Sequence, residues 1–349
     1  MNIKIGSRNI GSTQPVYIVA EMSANHNHDF SNAVDIIKAV KEAGADAVKL
    51  QTYTPDTITI DCDNNQFQIK NTTWEGKSLY QLYREAYTPW EWQPKLQEVA
   101  LSLDIDFFST PFDNSAVDFL EEMRVPAYKI ASFELVDLPL LKRIGATGKP
   151  VILSTGMASL AEIDEAMRTL EKYGAGEIIL LKCVSAYPAA PESMNLKTIP
   201  NLASTFGTIV GLSDHTLNST AAIAAVALGA SVIEKHITLS RRDGGIDSSF
   251  SLDPDEFKNM VEAIRITEKS LGEVNYGPTE TEAANRIFRR SLFVVENIKA
   301  GETFSTRNTR SIRPGHGLHT RYMDNVLGRK AACDIERGTP LSWKLIGGL

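Results

Sequence analysis

Short apolar runs alternate with amphipathic segments along most of the chain. Residues 16–21, 47–51, 106–109, 127–131, 151–154, 178–183, 208–213 and 231–236 are rich in Val, Ile, Leu and Ala. Their near-continuous apolar character predicts parallel strands buried on both faces. The segments between them carry helical spacing. Ala33, Ile36, Ile37 and Val40 form one stripe, stopped by Gly44. Ser159 and Glu162 stand at capping-box spacing before Ile163 and Met167. Asp253-Pro254 reads as N-cap and first turn of a helix carrying Phe257, Met260, Val261 and Ile264, closed by Gly272.

Eight such βα units match the size of a (β/α)8 TIM barrel, usually about 250 residues. A doubly wound open sheet is the alternative, but no G-x-G-x-x-G follows the first strand. Residues 52–88 are too long for an ordinary βα connection, and following strand two they belong over the barrel's active face. They include Asp61-Cys62-Asp63-Asn64 and the aromatics Phe67, Trp74, Tyr80, Tyr83 and Tyr87. Beyond Gly272 the pattern changes. Short strand signals and turns appear at 291–295, 300–301, 313–315, 326–331 and 337–338. The expected organisation is a barrel over residues 1–273, a polar linker over 274–284 and a small β-rich domain over 285–349.

Composition is that of a globular protein, 43% hydrophobic and 23% charged. The net charge of −7 argues against nucleic acid as a partner. The charge is uneven: residues 284–349 hold 12 Lys+Arg against 5 Asp+Glu, a balance of +7, and residues 1–283 hold 24 against 38, a balance of −14. The basic residues lie among strand and turn signals rather than in a run, which favours docking or covering an anionic substrate over a nucleic-acid arm. Cys62, Cys183 and Cys333 are far apart without a C-x-x-C, as expected in a reducing cytoplasm. No apolar run approaches the ~18 residues of a membrane span, and the first residues lack a signal-peptide core.

The candidate chemistry sits at the strand ends, which share one face of a barrel. In chain order the polar residues there are Glu21 with Asn25, His26 and His28; Lys49 and Gln51; Ser109, Thr110 and Asp113; Lys129, Ser132 and Glu134; Ser154 and Thr155; Lys182, Ser185 and Tyr187; Ser213, Asp214 and His215; Lys235 and His236. Lysines and hydroxyls converging on one face suit a small polyanion. His215 and His236, on successive strand ends, are candidate ligands for a divalent ion such as Mn²⁺, Fe²⁺ or Zn²⁺. Lys129 as a Schiff-base nucleophile is a weaker alternative, since it needs a depressed pKa among anion ligands. Cys183 reads as a core residue.

Taken together, the motifs resemble the sialic-acid synthase family. They are Ala20-Glu21 with Asn25-His26, Val-Lys-Leu-Gln at 48–51, Phe-Ser-Thr-Pro-Phe-Asp at 108–113, Tyr-Lys-Ile-Ala-Ser at 128–132, Ser154-Thr155-Gly156, Gly-Leu-Ser-Asp-His-Thr at 211–216 and Glu234-Lys235-His236. The tail, with Arg289-Arg290-Ser291-Leu292 and Arg313-Pro314-Gly315, resembles that family's antifreeze-like (SAF) domain. Ala20 to Asn27, Asp61 to Asn64 and Ala86 to Trp92 are similar to its pseudaminate branch, with neuraminate- and legionaminate-forming members as alternatives. The neuraminate type usually has His-Cys-Thr-Asn where this chain has Lys182-Cys183-Val184-Ser185, so Ser185 replaces a phosphate-binding Asn.

The resemblance implies condensation of phosphoenolpyruvate with an open-chain amino-sugar aldehyde, here 2,4-diacetamido-2,4,6-trideoxy-altropyranose. It implies that Lys49, Thr110 and Lys129 hold the phosphoenolpyruvate carboxylate and Ser132, Ser154, Ser185 and Ser213 its phosphate. Gln51, Glu134, Tyr187 and Asp247 would contact the sugar, and Arg313 would reach it from the partner subunit of a swapped homodimer. His215 and His236 would ligate Mn²⁺, with Mg²⁺ or Co²⁺ possible, to polarise the aldehyde. Glu21 would orient or deprotonate the water that adds at C2, or steady the cationic centre.

Overall fold

The computed structural model describes residues 2–70 and 74–348, so residues 71–73 of the long connection after strand two lie outside the described residues. The chain divides into two compact units, Met1–Gly272 and Glu273–Leu349.

In the first unit eight parallel strands close into a barrel: β3 (Tyr17–Glu21), β4 (Ala47–Thr52), β5 (Asp106–Pro111), β6 (Tyr128–Ile130), β7 (Val151–Ser154), β8 (Ile178–Cys183), β9 (Ile209–Asp214) and β10 (Val232–His236). β10 pairs with β3 from Val232↔Tyr17 to His236↔Glu21, which sets the second histidine beside the first carboxylate. The expected helices form: Phe30–Ala43 buries Ala33, Ile36, Ile37 and Val40 and ends at Gly44 with φ +83°. Ser159 and Asp253 close capping boxes with Glu162 and Glu256. These stripes pack on the outward residues of the strands, such as Ile18, Val48, Leu180 and Ile233.

Two features were not foreseen. The chain begins with an antiparallel hairpin, β1 (Asn2–Ile5) and β2 (Arg8–Gly11), whose Ile3, Ile5 and Ile10 are fully buried against Tyr17, Ala47, Ile209 and Val232 inside the barrel. Those partners begin their strands, so the hairpin plugs the N-terminal mouth, at about 1.5–3 kcal/mol of burial per isoleucine. Its turn needs glycine: at Gly6, φ +56°, a Cβ would lie 2.2 Å from Asp106 Oδ1. The long connection after β4 is also not all loop. It contains the helix Leu79–Ala86, started by Ser78, whose hydroxyl accepts from Gln81 N at 3.2 Å while Gln81 Oε1 accepts from Ser78 N at 3.0 Å.

The second unit pairs β11 (Ser291–Val294) with β12 (Thr309–Ile312) around Leu292, Val294, Ile298, Phe304, Val326, Ile335, Leu341 and Ile346. Residues 326–331, expected as a strand, form none. Val326 ends the helical turn Met323–Val326, Gly328 turns the chain at φ +83°, and only Lys330 and Ala331 make isolated bridges. Residues 274–284 are exposed, with a single helical turn at Glu280–Ala283. No helix among the described residues is long and apolar enough to cross a membrane.

Candidate active site

Strand alternation sorts the strand-end residues. Side chains of one parity point into the barrel. Its lower layers are the apolar Val19, Phe108, Ile152, Ile179 and Leu181. One step toward the carboxyl ends, the same parity carries Glu21, Lys49, Thr110, Lys129, Ser154, Cys183, Ser213, His215, Glu234 and His236, and all of these line one cavity of about 500 Å³. The opposite parity serves the structure instead. Ser109 Oγ meets Thr52 Oγ1 at 2.6 Å, and Thr155 Oγ1 donates to Leu181 O at 3.0 Å. Lys182 Nζ donates to Cys183 O at 3.0 Å. Lys235 Nζ lies 2.8 Å from Asp214 Oδ2, both side chains 0% exposed. Beyond the strands, Asn25 Nδ2 donates to Ile237 O at 2.8 Å, His26 meets Thr88 Oγ1 at 3.0 Å, His28 packs edge-on to Tyr87, and Asp113 caps the helix Asn114–Glu122. None of these lines the cavity.

At the cavity floor two lysines and two carboxylates interlock. Lys49 Nζ pairs with Glu21 Oε2, lies 3.6 Å from Glu234 Oε1 and donates to Thr110 Oγ1 at 3.1 Å. Lys129 Nζ lies 3.9 Å from Glu234 and donates to Ser154 Oγ at 2.8 Å. Burial works against every charge here. Glu21 is pushed up, by burial first and then by Glu234, against the pull of Lys49. Burial also pulls Lys129 below the ordinary lysine range, with Glu234 opposing. Glu234 overcomes its burial through Lys129 and Lys49 and stays low. Beside this cluster Ser132 Oγ accepts from Gly156 N at 3.0 Å, and Ser185 Oγ is buried with no partner among the described residues. A Cβ on Gly156 would lie 2.4 Å from Ser185 Oγ and 2.6 Å from Ser132 Oγ, so the two hydroxyls converge on a spot only glycine leaves open.

His215 and His236 face each other with ring centroids 5.3 Å apart. His215 Nδ1 donates to Val184 O at 2.9 Å, which fixes the tautomer and leaves Nε2 a lone pair. Burial first, then the neighbouring cations, keeps His236 neutral well below its ordinary range, and its buried Nδ1 has no partner among the described residues. No group of three or more His, Cys, Asp or Glu that would hold a metal is present among the described residues. Two imidazoles, one with an orphaned nitrogen, fit a divalent ion that keeps open positions. Cys183, expected in the core, is buried but faces the cavity, its Sγ 3.9 Å from His215 Nδ1. Burial pushes its thiol up, yet the bonded His215 ring brings it down to about 7.

The far end of the cavity mixes polar groups with an apolar wall. The Tyr187 ring is tilted against His215 and Trp74, with centroids 4.5 and 5.9 Å away, and Trp74 Nε1 donates to Ile246 O at 3.3 Å. Glu134 Oε2 is buried without a partner among the described residues, and burial pushes this carboxyl up to about 7. Asp247 accepts from Ser23 Oγ. Gln51 Nε2 donates to Glu21 Oε1 at 3.1 Å. The connection after β4 supplies Ile58, Ile69, Trp74, Leu82 and Tyr83 as the wall.

Of the expected site residues, the barrel brings together Glu21, Lys49, Gln51, Thr110, Lys129, Ser132, Glu134, Ser154, Tyr187, Ser213, His215, His236 and Asp247, with Ser185 behind Gly156. Arg313 is exposed in the second unit, just after β12. Sequence reasoning missed Glu234, Ser23 and the inward face of Cys183. Counting by twos from His236 and from Leu181 finds Glu234 and Cys183, whereas Ser23 lies within the motif Ala20 to Asn27 with nothing in the sequence to give it a role.

Comparison with known proteins agrees with the geometry. The NeuB family model matches residues 36–276, and the SAF domain model matches residues 289–346. The chain is 45% identical over 331 residues to the pseudaminic acid synthase of Helicobacter pylori, covering 94% of this chain and 97% of that one. It is likewise 45% identical over 333 residues to the pseudaminic acid synthase of Campylobacter jejuni, covering 95% and 97%. Among solved structures, the spore coat polysaccharide biosynthesis protein spsE of Bacillus subtilis is similar at a TM-score of 0.68 and 36% identity, over 100% of both chains. With barrel, cavity and motif series in agreement along its length, the chain belongs to the NeuB family.

Proposed function

We propose that this chain is a pseudaminic acid synthase. It condenses phosphoenolpyruvate with open-chain 2,4-diacetamido-2,4,6-trideoxy-altropyranose and releases phosphate by C–O cleavage. One observation carries the reading: a single cavity joins a lysine- and hydroxyl-rich floor to a polar and apolar sugar end, with two histidines between them. The similarity to synthases of this acid along 94% of the chain supports the choice of sugar.

Lys49, Thr110 and Lys129 hold the carboxylate of phosphoenolpyruvate, and Ser132, Ser154, Ser185 and Ser213 hold its phosphate. Gln51, Glu134, Tyr187 and Asp247 hold the sugar. His215 and His236 would ligate a divalent ion, Mn²⁺ with Mg²⁺ or Co²⁺ as alternatives, which when bound supplies Lewis-acid polarisation of the aldehyde oxygen. The floor cluster balances two cations with two carboxylates, so it adds no net charge against the anionic substrate, and added positive charge favours binding.

Phosphoenolpyruvate C3 bonds to the aldehyde carbon, the C=O π pair moves onto the aldehyde oxygen, which takes up a proton to become a hydroxyl, and positive charge develops at C2. Glu21 and Glu234 face that charge with fixed carboxylates. Glu21, raised by burial toward a basic carboxylate, takes the proton of the water that adds at C2. The C2–O bond to phosphate then breaks, the electron pair leaves with phosphate, and the C2 hydroxyl loses its proton to give the keto acid. The resemblance further supports a homodimer in which Arg313 serves the partner's site. Mixed dimers of Arg313→Ala with a Glu21→Gln chain should regain part of the activity, and no regain would argue against sharing.

The test of the sugar is turnover with the diacetamido sugar against N-acetylmannosamine, each with phosphoenolpyruvate and Mn²⁺. Turnover of the first alone supports the reading; preferential turnover of the second moves the chain to the neuraminate branch.

A further inference from the structure

Ser23 follows β3 in a backbone conformation that L side chains rarely adopt, φ +48°, and is only 2% exposed. A non-glycine residue held there costs free energy that the surroundings must offset, and such positions cluster at functional sites. The side chain explains the placement. Its hydroxyl lines the cavity, donates to Asp247 Oδ2 and accepts from Gln51 Nε2 at 2.9 Å.

The donor count then leaves little freedom. A glutamine amide has two N–H donors and one carbonyl acceptor. Both donors of Gln51 are used inside the protein, one on Glu21 Oε1 at 3.1 Å and one on Ser23 Oγ. A carboxylate only accepts, so the Glu21 contact fixes which end of the amide is nitrogen. Gln51 Oε1 accepts no hydrogen bond among the described residues. Asp247 likewise spends Oδ2 on Ser23 Oγ and Ala24 N, and its Oδ1 receives no hydrogen bond among the described residues.

We infer that Ser23 is a positioning residue that turns Gln51 and Asp247 into a pair of acceptors, so that this corner of the site selects a sugar presenting two donors, hydroxyl O–H or acetamido N–H. The inference rests on the proposed sugar-aldehyde condensation. It assigns to Ser23 the polarity of the pocket rather than any step of bond making. With the hydroxyl removed, one amide N–H of Gln51 turns to the cavity, and a donor meets a donor.

Ser23→Gly is the informative variant, because glycine adopts φ +48° without strain and the fold is retained. Steady-state kinetics with phosphoenolpyruvate, Mn²⁺ and the diacetamido sugar should show the sugar KM raised at least about 10-fold, the value of one mispaired buried hydrogen bond. The phosphoenolpyruvate KM should stay within about 2-fold and Tm should not fall. The double variant Ser23→Gly/Gln51→Ala should have nearly the sugar KM of Gln51→Ala alone, since the lost hydroxyl acts through that amide. A sugar KM within about 2-fold of the unaltered enzyme, or equal rises in both KM values, overturns the inference while leaving the reaction standing. Absence of turnover by the unaltered enzyme overturns the reaction itself, and this inference with it.

Discussion

Gly156→Ala separates a binding role from a packing role at the floor of the site. The added Cβ would come within 2.4 Å of Ser185 Oγ and 2.6 Å of Ser132 Oγ, and within 3.0 Å of Ser132 Cβ. Ordinary contact begins near 3.4 Å, so the two hydroxyls must retreat by about 1.0 and 0.8 Å. Each can do so by rotating to another staggered χ1 well, at the cost to the fold of the Gly156 N–H bond to Ser132 Oγ, about 1 kcal/mol. Gly156 has no positive φ, so alanine is tolerated by the backbone, and restricting the unfolded chain offsets part of the crowding. The substrate's phosphate, however, loses its hydroxyl partners. A hydrogen bond to a charged group is worth about 1.5–3 kcal/mol, roughly 10- to 150-fold in affinity. Steady-state kinetics should therefore show the phosphoenolpyruvate KM rising at least about 10-fold, with the sugar KM and Tm nearly unchanged. An unchanged phosphoenolpyruvate KM would refute the assignment of these hydroxyls to phosphate. A large fall in Tm, with both KM values shifted together, would show that Gly156 serves packing instead.

Glu21→Gln should lower turnover by about 10²–10⁴-fold while phosphoenolpyruvate still binds in calorimetry, and near-native turnover would remove the carboxylate from the chemistry. Glu134 is raised by burial from the ordinary 4.5 to about 7, so the folded protein holds its proton more tightly than the unfolded chain. Its contribution to stability is therefore largest below 4.5 and falls as pH rises toward 7; Tm of the unliganded protein should follow, and Glu134→Gln should flatten that dependence. Lys235→Met leaves Asp214 as a fully buried, uncompensated carboxylate, so urea unfolding should show a loss of about 3–5 kcal/mol.

Legibility in the sequence followed the strength of local signals. The apolar runs placed all eight barrel strands with ends shifted by only a residue or two, because strands buried on both faces leave continuous hydrophobic stretches. Capping boxes at Ser159 and Asp253 marked helix starts for the same local reason. The N-terminal hairpin was missed because Ile3, Ile5 and Ile10 owe their burial to the barrel mouth, which four residues of alternation do not announce. The polar strand-end residues read as one set in the sequence, but the pleat divides them: Lys49 and His236 turn inward, Lys235 and Asp214 outward. Ser23 was invisible because its importance lies in a backbone angle and in partners 28 and 224 positions away.

The most direct test of the synthase assignment uses phosphoenolpyruvate labelled with ¹⁸O at the bridging C2–O position. Purified protein receives this substrate, Mn²⁺ and the diacetamido-trideoxy sugar, and mass spectrometry reads both products. The nonulosonic acid should lack the label and inorganic phosphate should carry it, because water adds at C2 beside Glu21 and the C–O bond breaks. Label retained in the sugar acid, or no acid formed from either candidate sugar, would contradict the assignment.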